Sequence, residues 1–310
     1  MGKLRAGVIG VGYLGRFHAQ KYALLEQVDL VGVVDHDPAR AQTVADEVGT
    51  RAYSDLDQLI GEVDLVSIAV PTQYHFEVAK KCLEAGCHIL LEKPVTRTVA
   101  EAEELIALAR SRNLVFQVGH LERFNPAILA LKGVLNQPRF VESQRLAPFK
   151  PRGTDVNVVL DLMIHDIDII LSMVGSPVKT VNSIGVPVLS EEVDIANARL
   201  QFENGCVANV TASRVSREAV RKIRIFQADA YISIDYQARQ IAIYRKQPGT
   251  QMIPGLPDVV MEMKSFEQGD ALMAEISAFT EAVRGGTEPM VSGEDGKRAL
   301  ELAHLINQKL

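Results

Sequence analysis

Cysteine is scarce in this chain, and an excess of basic charge is missing altogether. Cys82, Cys87 and Cys206 form no CxxC pair and leave one over. That argues against a disulfide frame and a cysteine-held zinc site, and it suits a reducing cytosol. A net charge of −6 argues against general nucleic-acid binding, which needs a basic face. No apolar run reaches the ~18 residues of a membrane span. Met1-Gly2-Lys3-Leu4 runs into a strand pattern without a signal-peptide pattern, so the expected location is cytoplasmic. Internal repeats and low-complexity segments are absent. What remains is a globular balance, 47% hydrophobic and 23% charged over 310 residues, long enough for two domains and a sizeable core.

The first 35 residues carry the sharpest signal. Ala6-Gly7-Val8-Ile9 reads as a buried strand, Gly10-Val11-Gly12-Tyr13-Leu14-Gly15 as a glycine turn opening a helix, and Leu30-Val31-Gly32-Val33-Val34 as a second strand capped by Asp35. The glycines suit a tight turn, close approach to a pyrophosphate, and close helix–strand packing. The helix end near Tyr13 then offers unpaired N–H groups and a positive dipole to phosphates. An acid ~20 residues on completes a dinucleotide site. Asp35 can accept from ribose hydroxyls and would repel a 2′-phosphate, which favours NAD. His36 and Arg40 leave room for NADP as the less favoured form.

Strand and helix patterns then alternate to about residue 120. Helices are expected over Pro38–Val48, Tyr74–Ala85 and Val99–Arg110, and strands over Val63–Val70, His88–Leu91 and Leu114–Val118. Such alternation implies parallel strands with helices on both faces, and ligands beyond the carboxyl ends of the strands. Pro71, Thr72, His75 and the Glu92-Lys93-Pro94 run therefore fall on the same rim as the glycine turn. The second half changes texture. Helices are expected over Pro126–Leu135 and Val158–Met173, a strand over Arg139–Leu146, and mostly strands from Val178 to Tyr244, with an Asn204-Gly205 hairpin turn. Gln247–Pro257 reads as a loop, and helices follow at Ala271–Val283 and Gly293–Gln308. We expect a boundary near 119–125, giving one domain over 1–121 and another over 122–310.

Three groupings carry chemistry. Lys93 ends a strand aimed at the nicotinamide half of a cofactor, where an ammonium can stabilise a developing alkoxide. An arbitrary rim lysine is more often simply solvated. Asp161, His165 and Asp168 share one face of an ideal helix, where a carboxylate can orient an imidazole and tune it toward neutrality. Capping aspartates and a satisfied core histidine explain them too. No metal is expected, since soft ligands are absent and no third histidine lies near. Arg145, Lys150 and Arg152 cluster around Pro148-Phe149, a grouping suited to phosphate oxygens and a stacked ring. Arg214, Arg217, Arg221, Lys222 and Arg224 form a second cluster that a solvated strand face explains as well.

With these residues in place, the chain resembles the Gfo/Idh/MocA oxidoreductase family over essentially its whole length. The matching motifs are Gly10-x-Gly12-x-x-Gly15, Glu92-Lys93-Pro94, Gly119-His120-x-x-Arg123-Phe124-x-Pro126, Asp161-x-x-x-His165-x-x-Asp168 and the closing Val291-Ser292-Gly293-Glu294-Asp295-Gly296. The resemblance implies a Rossmann domain with a parallel doubly wound α/β sheet and an α+β C-terminal domain with a mixed, mainly antiparallel sheet. It implies Lys93, Asp161 and His165 as the catalytic group. A glycine usual two residues after that aspartate is Met163 here. Expected cofactor contacts are Gly10, Gly12, Tyr13, Leu14, Gly15, Asp35, Pro71, Thr72, His75, Glu92 and Lys93. Expected substrate contacts are Arg123, Arg145, Phe149, Arg152 and His165. The run from Arg145 through Asp168 looks like the branch that oxidises the C3 hydroxyl of UDP-N-acetylglucosamine. That implies a sugar-nucleotide substrate, while an exposed mixed sheet in the second domain suits pairing into a homodimer or homotetramer. A free-sugar or inositol dehydrogenase is the alternative reading, and a non-catalytic dinucleotide-binding sensor a more distant one.

Overall fold

The computed structural model describes residues 2–149, 156–247, 258–267 and 269–310, which fall into two compact units. The first comprises Met1–Phe124 with Asp270–Leu300. Its strands and helices alternate as β1 (Leu4–Ile9), α1 (Tyr13–Leu24), β2 (Val28–Val34), α2 (Pro38–Val48), β3 (Arg51–Tyr53), α3 (Leu56–Ile60), β4 (Leu65–Ile68), α4 (His75–Glu84), β5 (His88–Glu92), α5 (Val99–Ser111) and β6 (Phe116–Gly119). The six strands form one parallel sheet in the order β3-β2-β1-β4-β5-β6. Local chemistry sets the helix ends. Asp37 accepts from the N–H groups of Ala39 and Arg40 with Pro38 in the first turn, and Thr98 and Glu101 close a capping box on α5. Strand order reverses between β1 and β4, so the crevice for a ligand opens beyond the ends of those two strands.

The second unit comprises Asn125–Gly269 with Glu301–Leu310. Its elements are α6 (Pro126–Leu129), β7 (Phe140–Leu146), α7 (Ile164–Val174), β8 (Val178–Val186), β9 (Ile195–Phe202), β10 (Val207–Ser213), β11 (Val220–Phe226), β12 (Ala230–Asp235), β13 (Gln240–Gln247) and β14 (Asp258–Ser265). Eight strands run in the order β14-β13-β12-β11-β7-β10-β9-β8. Only the β7–β10 pair is parallel. The Asn204-Gly205 turn joins β9 to β10, with Gly205 at φ 84°.

Two expected helices are altered. The one over Pro126–Leu135 stops at Leu129, after which Leu131, Lys132 and Val134 each bond three residues back. Gly133, at φ 80°, takes a left-handed conformation that no α-helix continues through. The one over Val158–Met173 is two pieces, a π-helical turn over Val159–Met163 and then α7. A π turn holds more residues than an α turn, so the i, i+4, i+7 alignment of Asp161, His165 and Asp168 does not carry through it. Asp161 and His165 are half-exposed, whereas Asp168 is buried.

After β14 come α8 (Ala271–Gly285) and α9 (Gly293–Asn307). Ile276, Phe279 and Ala282 of α8 complete the core built from Ala6, Val8, Ala19, Tyr22 and Leu65 of the first unit. The contiguous span 122–310 expected for the second domain is thus interrupted, because 270–300 packs with the first unit.

Candidate active site

In the first unit the glycine loop leaves β1 with Gly10 at φ 80°, where an added Cβ would lie 2.8 Å from Val70 Cγ1 and 2.9 Å from the Ala69 carbonyl oxygen. At Gly15 a Cβ would lie 1.8 Å from the Gly10 carbonyl oxygen, so only hydrogen lets α1 seat against the turn. Gly12 has nothing within 4 Å of that position. Its open face, together with an α1 N-terminus that carries no side-chain cap and no acid in its first turn, leaves the first N–H groups available to an anion. A 650 Å³ surface cavity lies alongside, lined by Gly12, Tyr13, Arg16, Phe17, Arg40 and Thr43. Tyr13 and Leu14 are exposed, and Tyr13 meets Phe17 edge to face at 5.3 Å.

Asp35 lies at the end of β2 with its side chain 3% exposed. One oxygen accepts the Val11 N–H at 2.8 Å, and the other faces the Asp37 N–H at 3.0 Å, His36 Nδ1 at 2.9 Å and Arg40 Nη1 at 3.4 Å. The acid therefore braces the glycine turn. Pro71 and Thr72 follow β4 on the same rim. His75 is buried, with Nδ1 2.8 Å from the Pro94 carbonyl and Nε2 2.9 Å from that of Val70. Its ring ties the loop after β4 to the loop after β5, and burial pushes its pKa down. Lys93 is half-buried at the end of β5, joined to Pro94 by a cis peptide bond. Arg123 is 9% exposed, and its Nη2 donates to the Met290 carbonyl at 3.3 Å.

In the second unit Asn157 opens the π turn by accepting from the N–H groups of Val159 and Leu160. Asp161 sits in that turn and His165 in the first turn of α7. Their neighbour Asp166 is buried and takes the Arg145 guanidinium in a two-pronged pair, Nε at 2.8 Å and Nη2 at 3.2 Å. Arg145 is itself 4% exposed, so it braces β7 against α7. Phe149 is half-buried, whereas Lys150 and Arg152 lie outside the described residues. The second basic cluster is divided. Lys222 pairs with Asp235 at 2.9 Å and Arg224 with Glu142 at 3.1 Å on the sheet face, and Arg214 is buried against Asp194.

Sequence reasoning missed a buried group beside Lys93, namely His18, Glu92 and Glu275, whose ligand-type atoms lie within 4.8 Å of one another. A signal for Glu275 existed. It falls at the apolar positions of α8 with Leu272, Ile276 and Phe279, where a carboxylate is out of place.

Comparison with known proteins agrees with this architecture. Residues 4–120 match the oxidoreductase family with an NAD-binding Rossmann fold, and residues 127–233 match the GFO/IDH/MocA C-terminal domain. A UDP-N-acetylglucosamine 3-dehydrogenase of Acidithiobacillus ferrooxidans is 45% identical over 97% of this chain and 95% of its own. The chain belongs to the Gfo/Idh/MocA family. A solved structure of that enzyme superposes with a TM-score of 0.93 at 43% identity, over 100% of this chain and 98% of the other. A myo-inositol 2-dehydrogenase of Thermotoga maritima is 26% identical over 99% and 96% of the two chains. This Gfo/Idh/MocA protein is thus an NAD(P)-dependent dehydrogenase acting on CH–OH groups. No helix among its described residues is long and apolar enough to cross a membrane.

Proposed function

We propose that this dehydrogenase oxidises the C3 hydroxyl of UDP-N-acetylglucosamine with NAD, in the cytoplasm. Whole-length kinship at 45% identity with a UDP-N-acetylglucosamine 3-dehydrogenase is the observation that carries the substrate. The residues present suit a dinucleotide: an open Gly12, an uncapped α1 and an acid at the end of β2. Gly10, Gly12, Gly15 and the α1 N-terminus would hold NAD, which would supply the hydride acceptor for the ring carbon. His165 accepts the hydroxyl proton, directly or through water, and Lys93 stabilises the alkoxide that develops. Asp161 orients the imidazole or the sugar. Arg152 and Phe149 hold the nucleotide, and Arg123 the substrate side of its motif. The first unit serves the cofactor, and the second unit, Asn125–Gly269 with Glu301–Leu310, serves the substrate and assembly.

A panel of UDP-sugars and free sugars followed by NADH formation tests the substrate. Because binding of a remote diphosphate positions the ring, free sugars should lose rate as well as affinity. Arg152→Ala should raise KM for the nucleotide sugar far more than for any free sugar. Efficient turnover of glucose or inositol with none of UDP-N-acetylglucosamine would overturn the reading.

The preference for NAD rests on Asp35, and Arg40 stands as the feature that could admit a 2′-phosphate. Asp35→Ser should weaken NAD roughly ten- to hundredfold, the range for hydrogen bonds to a charged acceptor, and narrow the preference over NADP. Tighter binding of NADP than NAD by the wild-type protein, measured by direct titration, would refute the assignment.

We further propose a homodimer or homotetramer built on the open face of the second sheet. Phe140, Phe226, Tyr231 and Tyr244 stack in one cross-strand row at centroid spacings of 5.6, 4.9 and 5.3 Å. Met261 stands opposite Tyr244 in the next strand, 53% exposed, with Val259 and Met263 at alternate positions and similarly exposed. A stripe of this kind suits self-complementary pairing with a second copy. Light scattering should give a dimer or tetramer that Tyr231→Glu dissociates. A monomeric wild type would count against it.

A further inference from the structure

Within the first unit, a row of polar side chains runs under the Lys93 loop and ends at Glu92. Tyr22 Oη lies 2.9 Å from Ser67 Oγ, Ser67 Oγ lies 3.0 Å from His18 Nδ1, and His18 Nε2 lies 3.0 Å from Glu92 Oε1. Tyr22, Ser67 and His18 are fully buried, and the Glu92 side chain is 12% exposed. With Nε2–H donating to Glu92, Nδ1 is left to accept from the Ser67 hydroxyl, whose oxygen accepts from Tyr22. Every donor then points toward Glu92. Its second oxygen accepts the Lys93 N–H at 3.3 Å. A Cβ on Gly119 would lie 3.0–3.1 Å from the Glu92 carboxyl, so β6 closes over it and leaves the carboxyl no room to swing toward that strand.

Glu275 enters from α8 with 0% exposure, and neither of its carboxyl oxygens has a hydrogen-bond partner among the described residues. From β6, Gln117 reaches only its backbone carbonyl. Two ionised carboxylates this close in a dry interior repel each other and lack solvation, so one keeps its proton. Burial and then the charge of Glu92 push Glu275 well above the ordinary carboxylate range. Burial also pulls Glu92 upward, but the His18 hydrogen bond and the positive charge of Lys93 outweigh it and hold Glu92 low. Glu92 is thus faced by His18 from α1 and Glu275 from α8, while Lys93 in its own loop gives it a backbone N–H and the influence of its positive charge.

We propose that His18, Glu92 and Glu275 form a buried charge-setting cluster, with Glu92 ionised, Glu275 a neutral acid, and Lys93 held by Glu92 in its ammonium form. His18 and Glu275 are positioning residues that act through Glu92. The consequence for catalysis rests on the proposed role of Lys93, whereas the protonation pattern does not. A divalent cation shared by the three side chains is the rival occupant, although it would have to break the His18–Glu92 hydrogen bond.

The test needs no turnover, so it can fail independently of the catalytic reading. Infrared difference spectra of wild type against Glu275→Gln near neutral pH should show a protonated carboxyl band present only in the wild type. Acylation of Lys93, followed by peptide mass spectrometry, should quicken about tenfold or more in Glu92→Gln, since losing an adjacent opposite charge lowers a lysine pKa by about a unit or more. Glu92→Asp should recover most of the slow rate. Absence of the band, an unchanged Lys93 rate in Glu92→Gln, or stoichiometric divalent metal in the purified protein would each overturn the proposal.

Discussion

Replacing Lys93 or His165 with alanine should each lower kcat by about 10²–10⁴-fold, the usual contribution of a positioned acid or base, while NAD affinity stays near wild type. Affinity should persist because the proposed pyrophosphate cradle, built from Gly10, Gly12, Gly15 and the α1 N-terminus, contains neither residue. The two variants should differ in pH profile. Without His165 the acidic limb of kcat should vanish, since the proposed proton acceptor, which must be neutral, is gone. Without Lys93 the alkaline limb should go, because that limb reports loss of the ammonium. Exchanged limbs would mean that lysine accepts the proton and histidine stabilises the alkoxide, as a lysine with a lowered pKa can do. Steady-state kinetics across pH with UDP-N-acetylglucosamine decides this, and near-wild-type turnover in both variants would remove the site from consideration.

The fold was legible where one residue has one physical task. Gly10 must be glycine because φ is 80°, and Gly15 because a Cβ would meet a carbonyl oxygen at 1.8 Å. Those demands are local, so a run of six residues announces the turn, and alternation of strands and helices announces the parallel sheet. The second sheet was legible as strands separated by turns, though not in its order, since nothing local tells β7 to lie parallel to β10. Two features were hidden for different reasons. The π turn over Val159–Met163 inserts a wider turn into an apolar stretch whose composition reads as a continuous helix. The buried cluster assembles His18, Ser67, Glu92 and Glu275 from four separate elements, so no spacing reveals it. Arg145 illustrates a third limit. Charge clustering in sequence suggested an anion site, but burial turned this arginine onto Asp166.

Asp194→Ala should destabilise the second unit by about 3–5 kcal/mol, the cost of breaking a buried ion pair from one side. Asp194 is fully buried just before β9. One oxygen accepts from the N–H groups of Val188, Leu189 and Ser190 at 2.8, 2.6 and 2.9 Å. The other takes the Ser190 hydroxyl at 2.7 Å and Arg214 Nε at 2.8 Å. Alanine would strand three amides and leave a guanidinium that is 6% exposed with only its neutral partners, the Val156 carbonyl and Ser190 Oγ, among the bonds described. Burial alone would raise the Asp194 pKa, but the amides, the hydroxyl and Arg214 together hold it far below the usual carboxylate range. Its folded value therefore lies below the unfolded ~3.9, so its stabilisation is complete above that value and is lost as pH falls through the folded one. The difference between wild type and variant should be flat near neutrality and shrink only below about pH 4. Urea midpoints, with amide-exchange protection in β9 and β10 as the local readout, measure it. Arg214→Met added to Asp194→Ala should recover part of the loss by removing the stranded charge. An unchanged midpoint in the single variant would show that these five hydrogen bonds contribute no net stability.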